Sequence, residues 1–508
     1  MTALSIASHL GPGHRHEPLP DVLEADACVI GSGASGSVVA EALVDAGWSV
    51  AMVEEGPLLA RTVTQEEADR DAPAAEVLDA AGQWVERGWP WTTRNVGGGT
   101  LFYGGASFRY QPVDFDVSAY LPGNELDVRW PFGLDALAPW YDEVERRLAV
   151  RPLAVYGGHD TSAEVSAADA IAGAAARLGY RPLSTPVAID AVRCTMQPLC
   201  IDHQCGTGAK RDAVAAYLHG LCAGPRFALY SGVRGLALEQ DAARAVAALR
   251  CLTLGSGRTS TIRARHYFLA CNAIQTAALL LRSRTRYASN GLGNARDLVG
   301  RGLCMKLSAY STGMRTRPPG AGGHRHVGGP FSRVALLDHY TDPACPSGLG
   351  GLIYESRSLP SPPDPDTVPL EVETIIADRP VRANRVALSP NTDAWGVPKV
   401  RLHYRPDPTD LARLHWMSDR CEGLLREAGT DHIRTRRALS ERGSTHLHGT
   451  CRSGTDPADS VTDAYGTLHE VDNVHVVDGA FMPFPGGLNP TLTIQANALR
   501  IARHIAAR

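Results

Sequence analysis

Apolar residues run together in ACVI (27–30) and in SVAMVE (49–54), and between them Val38, Val39, Ala42, Leu43 and Ala46 recur at three- and four-residue spacing. Short unbroken apolar runs suit strands buried on both faces, and the intervening spacing suits a helix. The segment therefore predicts a βαβ unit. Further along, the pattern predicts helices around 74–86, through DALAPWYDEVERRLAV (135–150) and over 207–222. Alternating positions across 226–254 predict a β-meander, and RARHYFLACNAIQTAALLLRS (263–283) a strand running into a helix. Gly/Pro-rich stretches at 317–330 and 360–366 predict long loops. Strand-like runs fill much of 331–405, and a helix is expected over 408–428. The end of the chain reads as strand, loop and a helix from about 490 to 506. Asn489 would sit at its N-cap and Pro490 in its first turn. Residues 1–22, rich in Gly, Pro and His, predict a flexible tail.

Length and charge narrow the class. A chain of 508 residues suggests several domains or one large domain with insertions. A net charge of −4 gives no global basic field, so nucleic-acid binding is not expected. No apolar run reaches the roughly 18 residues that a membrane span needs, and the first residues lack a signal-peptide pattern. The odd count of 11 cysteines suits thiols in a reducing compartment. A cytoplasmic protein is the expectation.

The first βαβ unit carries chemistry. Gly31, Gly33 and Gly36 form G-x-G-x-x-G between strand and helix, and Glu54 closes the second strand. Gly31 permits the tight turn, Gly33 lets backbone approach a pyrophosphate, and Gly36 lets the helix pack on the strand. Unpaired N–H groups at the helix start would face the phosphates. Glu54 would hold the adenosine ribose, and its charge disfavours a 2′-phosphate. These features do not separate FAD from NAD. A second loop, RNVGGGTLFYGG, holds five glycines between Gly97 and Gly105 and could lie against a planar ring. The start of the last helix, at Pro490 and Thr491, offers N–H groups and partial positive charge.

Together these stretches resemble the glucose–methanol–choline (GMC) oxidoreductases, which are FAD flavoenzymes. The resemblance is carried by GSGASG with VEEGP, VGGGTLFYGG, WPFGLDALAPWYDEVE, CGTGAK, FLACNAIQTAALLL, HLHGTCRSG and VVDGAFMPFPGGLNPTLT, in that order. It implies an α/β fold: a discontinuous Rossmann-like FAD-binding domain with a β-sheet-rich α+β substrate-binding domain, of the p-hydroxybenzoate-hydroxylase-like kind. The expected boundaries are 23–310 and 441–508 for the FAD domain, with substrate-side segments near 60–95 and 150–190, and 311–440 for the substrate domain.

The resemblance also implies the site. Two histidines two apart, His446 and His448, point the same way on an extended strand, so spacing alone does not choose between them. The family's catalytic histidine lies three residues before the Gly of a Gly-Thr turn, which is His446. Its partner, before Pro in the last loop, is Asn489. His446 would take the hydroxyl proton of an alcohol while hydride leaves the carbon for the flavin, and Asn489 would hold the same oxygen. FAD contacts are implied for Gly31, Gly33, Ala34, Ser35, Gly36, Glu54, Glu55, Arg94, Gly98, Gly99, Thr100, Tyr103, Gly104, Val233, Ala270, Asp478, Gly479, Pro490 and Thr491. Phe102 stands where some relatives link FAD to a histidine, which implies non-covalent FAD. Tyr103 replaces a smaller Asn, and Ser453 replaces the usual Met.

The substrate expected is a sugar, glycoside or other polyol. Acids such as Glu355, Glu371, Glu373 and Asp378 would favour a cationic aminosugar if they line the pocket. A steroid or aliphatic alcohol, or a hydroxynitrile-lyase-type reaction, is the alternative. Oxygen or a quinone-like carrier would take the electrons. Cys194, Cys200, His203 and Cys205 do not match metal-site spacing, so no metal is expected. His324 and His326 read as part of a lid or surface loop.

Overall fold

The computed structural model describes residues 9–508 except 16–17, 61–62, 71–73, 80, 89–92, 153–166, 196–200, 317–331, 357–366 and 438–445. Cys200, His324, His326 and the 317–330 loop lie outside the described residues.

The apolar runs become the centre of one sheet. Strands β2 (Val22–Ile30), β3 (Val50–Glu54), β7 (Phe227–Ser231) and β10 (Arg258–Leu269) stand in the parallel order β7-β3-β2-β10. β18 (Val474–Val476) pairs parallel with the end of β10, over Tyr267–Leu269. The first half of β10 pairs instead with β9 (Ala245–Thr253), which pairs with β8 (Val233–Ala242); the antiparallel meander expected over 226–254 thus starts only at β8 and takes in β10, because β7 joins the parallel sheet through β3. Ala27, Cys28, Val29, Met52 and Leu269 are fully buried, as strands covered on both faces require. Helix α1 (Ala34–Asp45) lies on this sheet and packs against α5 (Thr491–Ala506), so the N- and C-terminal sequence meets in one layer.

A second sheet is antiparallel, in the order β17 (Asp431–Arg437), β11 (Leu307–Thr316), β14 (Thr367–Ile376), β13 (Gly351–Glu355), β12 (Val334–Leu336), β6 (Leu183–Ser184). One face carries Leu307, Ala309, Ile353, Leu370 and Val372 against Leu414, Met417, Cys421 and Leu424 of α4 (Pro408–Glu427). The period of two places Tyr310, Glu371, Glu373 and Tyr354 on the opposite face, where register sets Glu373 between Tyr310 and Tyr354.

Three expectations change. The helix expected at 74–86 is instead a pair of strands, β4 (Ala75–Leu78) and β5 (Trp84–Arg87). β4 pairs parallel with β16 (Pro398–His403), itself joined to β15 (Arg385–Thr392). The buried Glu76 carboxylate binds Arg401, Ser389 and Asn391, partners more than 300 residues away that local pattern cannot show. The tail is anchored in part: β1 (His14–Arg15) pairs with β7, and His14 and Leu19 are buried. The N-cap of α5 is Pro490 rather than Asn489, and no side chain caps it. Helix α2 (Ala138–Arg147) and helix α3 (Asn272–Arg282) form within the stretches expected to hold them. Among the described residues, no helix is long and apolar enough to cross a membrane.

Candidate active site

Between the two sheets runs a cavity of about 1190 Å³. The first glycine loop forms one wall. Gly36 faces away from it and is a packing residue: a Cβ there would lie 2.0 Å from the Gly31 carbonyl oxygen, so only Gly lets α1 sit this close to the loop. Gly31, Gly33, Ala34 and Ser35 line the cavity. The N-cap of α1 is Gly33, with no side-chain cap, so the first N–H groups of the helix are left for an anion. The second glycine loop meets the first: a Cβ on Gly98 would stand 3.1 Å from Gly33 Cα.

Ser32, which sequence reasoning passed over, ties these parts together. Its hydroxyl donates to Glu54 Oε2 at 2.8 Å and accepts from the Gly97 N–H at 3.0 Å. Glu54 also accepts from the Ser32 and Gly56 N–H groups. Both its oxygens thus brace the loop, although the residue also lines the cavity and retains lone pairs for a ribose. Burial pushes its carboxyl above the ordinary range. Glu55 pairs with Arg234 at 2.8 Å and stands 3.5 Å from Arg94. Arg234 in turn pairs with Asp393, which brings the β15–β16 hairpin to this end of the cavity.

Gly98, Gly99, Thr100, Tyr103, Gly104, Val233, Ala270, Asp478, Gly479, Pro490 and Thr491 line the same cavity. Thr100 is also structural, its hydroxyl donating to the Gly97 carbonyl and accepting from Ala213 N–H. Tyr103 donates to the Arg211 carbonyl at 2.9 Å. Asp478 accepts from Thr276 at 2.6 Å, and burial pushes its carboxyl up to about 6. Phe102 lines the wall with a phenyl ring, which has no atom to bond covalently to a flavin.

His446 and Asn489 reach the far part of the cavity together with Tyr310, Tyr354, Glu371 and Glu373. Gly449 adopts φ 73°, and a Cβ there would lie 2.1 Å from the Gly302 carbonyl oxygen, so the turn after the histidines admits no side chain. His448 is fully buried and pairs through its backbone with Cys304, and it does not line the cavity. Burial, then repulsion from Lys306, holds the His446 imidazole well below its ordinary pKa. That keeps the ring neutral, as a proton acceptor must be. Asn489 Oδ1 is buried with no protein hydrogen-bond partner.

The four acids separate. Glu371 and Glu373 line the cavity. Glu355 instead accepts from the Arg333 N–H, and Asp378 binds Met305 N–H, Lys306 N–H and the Tyr404 hydroxyl. Arg436, Arg282 and Gln275 also line the cavity, and nothing in their local sequence marks them. His203 Nδ1 lies 3.0 Å from the Ile201 carbonyl, while Cys194 and Cys205 pack around Val187, Ile189 and Ala209. Among the described residues no group of three or more His, Cys, Asp or Glu is arranged to hold a metal ion.

Comparisons with known proteins agree with this architecture. Family models described as GMC oxidoreductase match residues 25–308 and 380–498. The chain is 51% identical to a 6'''-hydroxyparomomycin C oxidase of Streptomyces lividus and 50% identical to a paromamine 6'-oxidase of Streptomyces fradiae. Each alignment covers 98% of this chain and 94% of the relative. Among solved structures, pyridoxine 4-oxidase from Mesorbium loti superposes with a TM-score of 0.67 at 20% identity, over 95% of this chain and 99% of that one. An uncapped helix start beside two touching glycine loops, and a cavity that joins them to His446, fit the dinucleotide and ring of FAD. The chain belongs to the GMC oxidoreductase family, whose cofactor is FAD.

Proposed function

We propose that this protein oxidises an alcohol of an aminosugar to the carbonyl, with His446 as base and Asn489 holding the reacting oxygen. The observation that carries the reading is the single cavity that joins the glycine loops to His446, Asn489 and the acids Glu371 and Glu373. Half of the sequence is shared with two oxidases named for aminoglycoside substrates, and their names supply the substrate class. Bound FAD supplies the acceptor for the hydride, and Gly31, Gly33, Ala34, Ser35, Glu54, Gly98, Thr491 and their neighbours would hold it.

The chain's own residues then do the following. His446, neutral because it is buried, accepts the hydroxyl proton as the carbon–hydrogen bond breaks. Asn489 hydrogen-bonds the same oxygen and fixes its direction. Glu371 gives the roof a negative charge suited to a substrate ammonium. A steroid or long aliphatic alcohol would bring no positive charge to that carboxylate, which among the described residues has only the Thr312 hydroxyl and the Arg436 guanidinium 3.9 Å away. Oxygen is the proposed electron acceptor, since both similar Streptomyces proteins are named oxidases.

The test is anaerobic mixing of the FAD-loaded protein with paromamine, followed at 450 nm, then readmission of air. Bleaching by paromamine, and its loss by roughly 10²–10⁴-fold in His446→Ala, are expected from removal of a general base. A His446→Ala protein that bleaches at the unaltered rate would overturn the assignment, and a flavin that stays reduced in air would overturn the choice of acceptor.

A further inference from the structure

The six residues before Pro490, FPGGLN (484–489), belong to neither helix nor strand, and 484–488 are buried. Gly486, at φ 61°, and Gly487 give this stretch more backbone freedom than other residues would, so its local sequence does not hold its shape. Among the described residues, none of its backbone groups from 484 to 488 pairs with another backbone group. Buried side chains take their place. Trp130 Nε1 donates to the Phe484 carbonyl at 3.3 Å, the Tyr110 hydroxyl donates to the Pro485 carbonyl, and Lys306 Nζ donates to the Leu488 carbonyl. The Gly487 N–H donates to the Tyr340 hydroxyl at 2.8 Å. That hydroxyl gives its own proton to Asp114, whose two oxygens lie 2.7 and 2.8 Å away. Asp114 is fixed in turn by the Gln111 N–H, which donates to it at 2.8 Å. Tyr340 also packs on the loop: a Cβ on Gly487 would lie 3.0 Å from both its ring and its hydroxyl.

We infer that Tyr340, oriented by Asp114, is a positioning residue for the reaction: it ties the Gly487 N–H and so fixes the glycine turn that presents the Asn489 amide to the substrate. The inference rests on the role proposed above for Asn489. That residue follows Gly487 by two positions and lines the cavity, and no protein group holds its Oδ1, so the backbone before it must set where the amide stands. Tyr340 is 5% exposed and Asp114 fully buried, so water does not compete freely for their hydrogen bonds. The loop carrying Tyr340 lies between β12 and β13 of the second sheet and is itself held. The Gly350 N–H donates to the Tyr340 carbonyl at 3.0 Å. Arg413, fully buried and paired with Asp410 at 2.8 Å, donates to the Leu349 carbonyl at 2.6 Å. Asn489 instead precedes α5, which packs on α1 of the first sheet. Tyr340 thereby couples the proposed oxygen-binding amide to the sheet that roofs the substrate. Tyr340→Phe removes the phenol oxygen and keeps the ring, so the packing on Gly487 survives while a buried N–H loses its acceptor. The peptide is then free to turn, and an amide displaced from its productive position loses rate rather than affinity.

The tie is read with paromamine at saturation, as the rate of flavin bleaching, in Tyr340→Phe, Asn489→Ala and the double variant. Tyr340→Phe is expected to retain FAD and to slow bleaching roughly 10-fold, with the paromamine KM changed less than about 3-fold. Because Tyr340 acts through Asn489, the double variant is expected to be no slower than Asn489→Ala alone. Asp114→Leu is expected to lose rate as Tyr340→Phe does, since the phenol then has no acceptor to orient it. Asp114→Asn, whose amide oxygen can accept both the phenol proton and the Gln111 N–H, is expected to recover most of that loss. If Tyr340→Phe fails to retain FAD, the two Asp114 variants read the same tie from its other end. A Tyr340→Phe protein that melts earlier yet bleaches at the unaltered saturated rate would overturn the inference, because a purely structural tie gives that result. Losses that multiply in the double variant would overturn it too, as would an Asp114→Asn protein as slow as Asp114→Leu. The two readings fail separately: an Asn489→Ala protein that bleaches at the unaltered rate sinks the role proposed for that amide and this inference with it, whereas a slow Asn489→Ala beside multiplying losses sinks only the tie.

Discussion

Ser32 stands between Glu54 and the second glycine loop, giving its proton to the carboxylate at 2.8 Å and receiving the Gly97 N–H at 3.0 Å. Replacing it with Ala removes a bond to a charged group and leaves two buried partners exposed to loss, an effect of about 1–3 kcal/mol. If the two loops hold FAD jointly, Ser32→Ala is expected to weaken FAD binding roughly 5- to 150-fold, measured by titrating apoprotein and following flavin fluorescence. Unchanged affinity would show that the loops are independent.

Gly36→Ala tests the packing role at the same end. The added methyl would meet the Gly31 carbonyl oxygen, a backbone atom with no freedom to move aside. The expected outcome is protein that carries no FAD after purification, or none that is soluble. A yellow Gly36→Ala protein of normal melting temperature would mean that α1 can shift outward at little cost.

Lys306 is buried, donates to the carbonyl of Leu488 beside Asn489, and has its pKa pulled down to about 7 by burial. Its positive charge opposes protonation of His446. The sign follows: with the charge removed, the imidazolium is less penalised, the imidazole pKa rises, and the acid limb of the bleaching rate moves to higher pH. Lys306→Met is expected to show that movement, together with a stability loss of roughly 1–3 kcal/mol from the orphaned Leu488 carbonyl. An unaltered acid limb in a folded variant would mean that burial alone suppresses the imidazolium. In the unaltered protein the rate is expected to hold as pH falls past 6.5, because the neutral form persists below the ordinary histidine pKa.

Glu371 accepts from Thr312 at 2.6 Å and keeps Arg436 at 3.9 Å, so its charge is only loosely offset within the protein. Glu371→Gln is expected to raise the KM for paromamine about 10-fold. For methyl α-D-glucopyranoside, which lacks an amine, the KM should move less than about 2-fold. Equal changes for the two sugars would remove the case for an ammonium contact.

The sequence by itself determined the parts whose signals are local. Gly31, Gly33, Gly36 and Glu54 lie within 24 residues, and their order between strand and helix already specifies a dinucleotide loop. The motif around His446 and the strand–loop–helix that follows it were legible for the same reason, because resemblance works on contiguous residues. Tertiary structure decided what depends on distant partners. Whether 74–86 is helix or strand turns on Arg401 and on β16, which no local period can report. The position of Asn489 outside the helix cap follows from where α5 begins on α1. Four acids looked alike in sequence. Only the pleat of β14, with helix α4 covering its other face, turned Glu371 and Glu373 toward the cavity, while backbone donors elsewhere took Glu355 and Asp378. A side chain's chemistry is written in its own residue, but the environment that gives it a role is assembled from residues far along the chain.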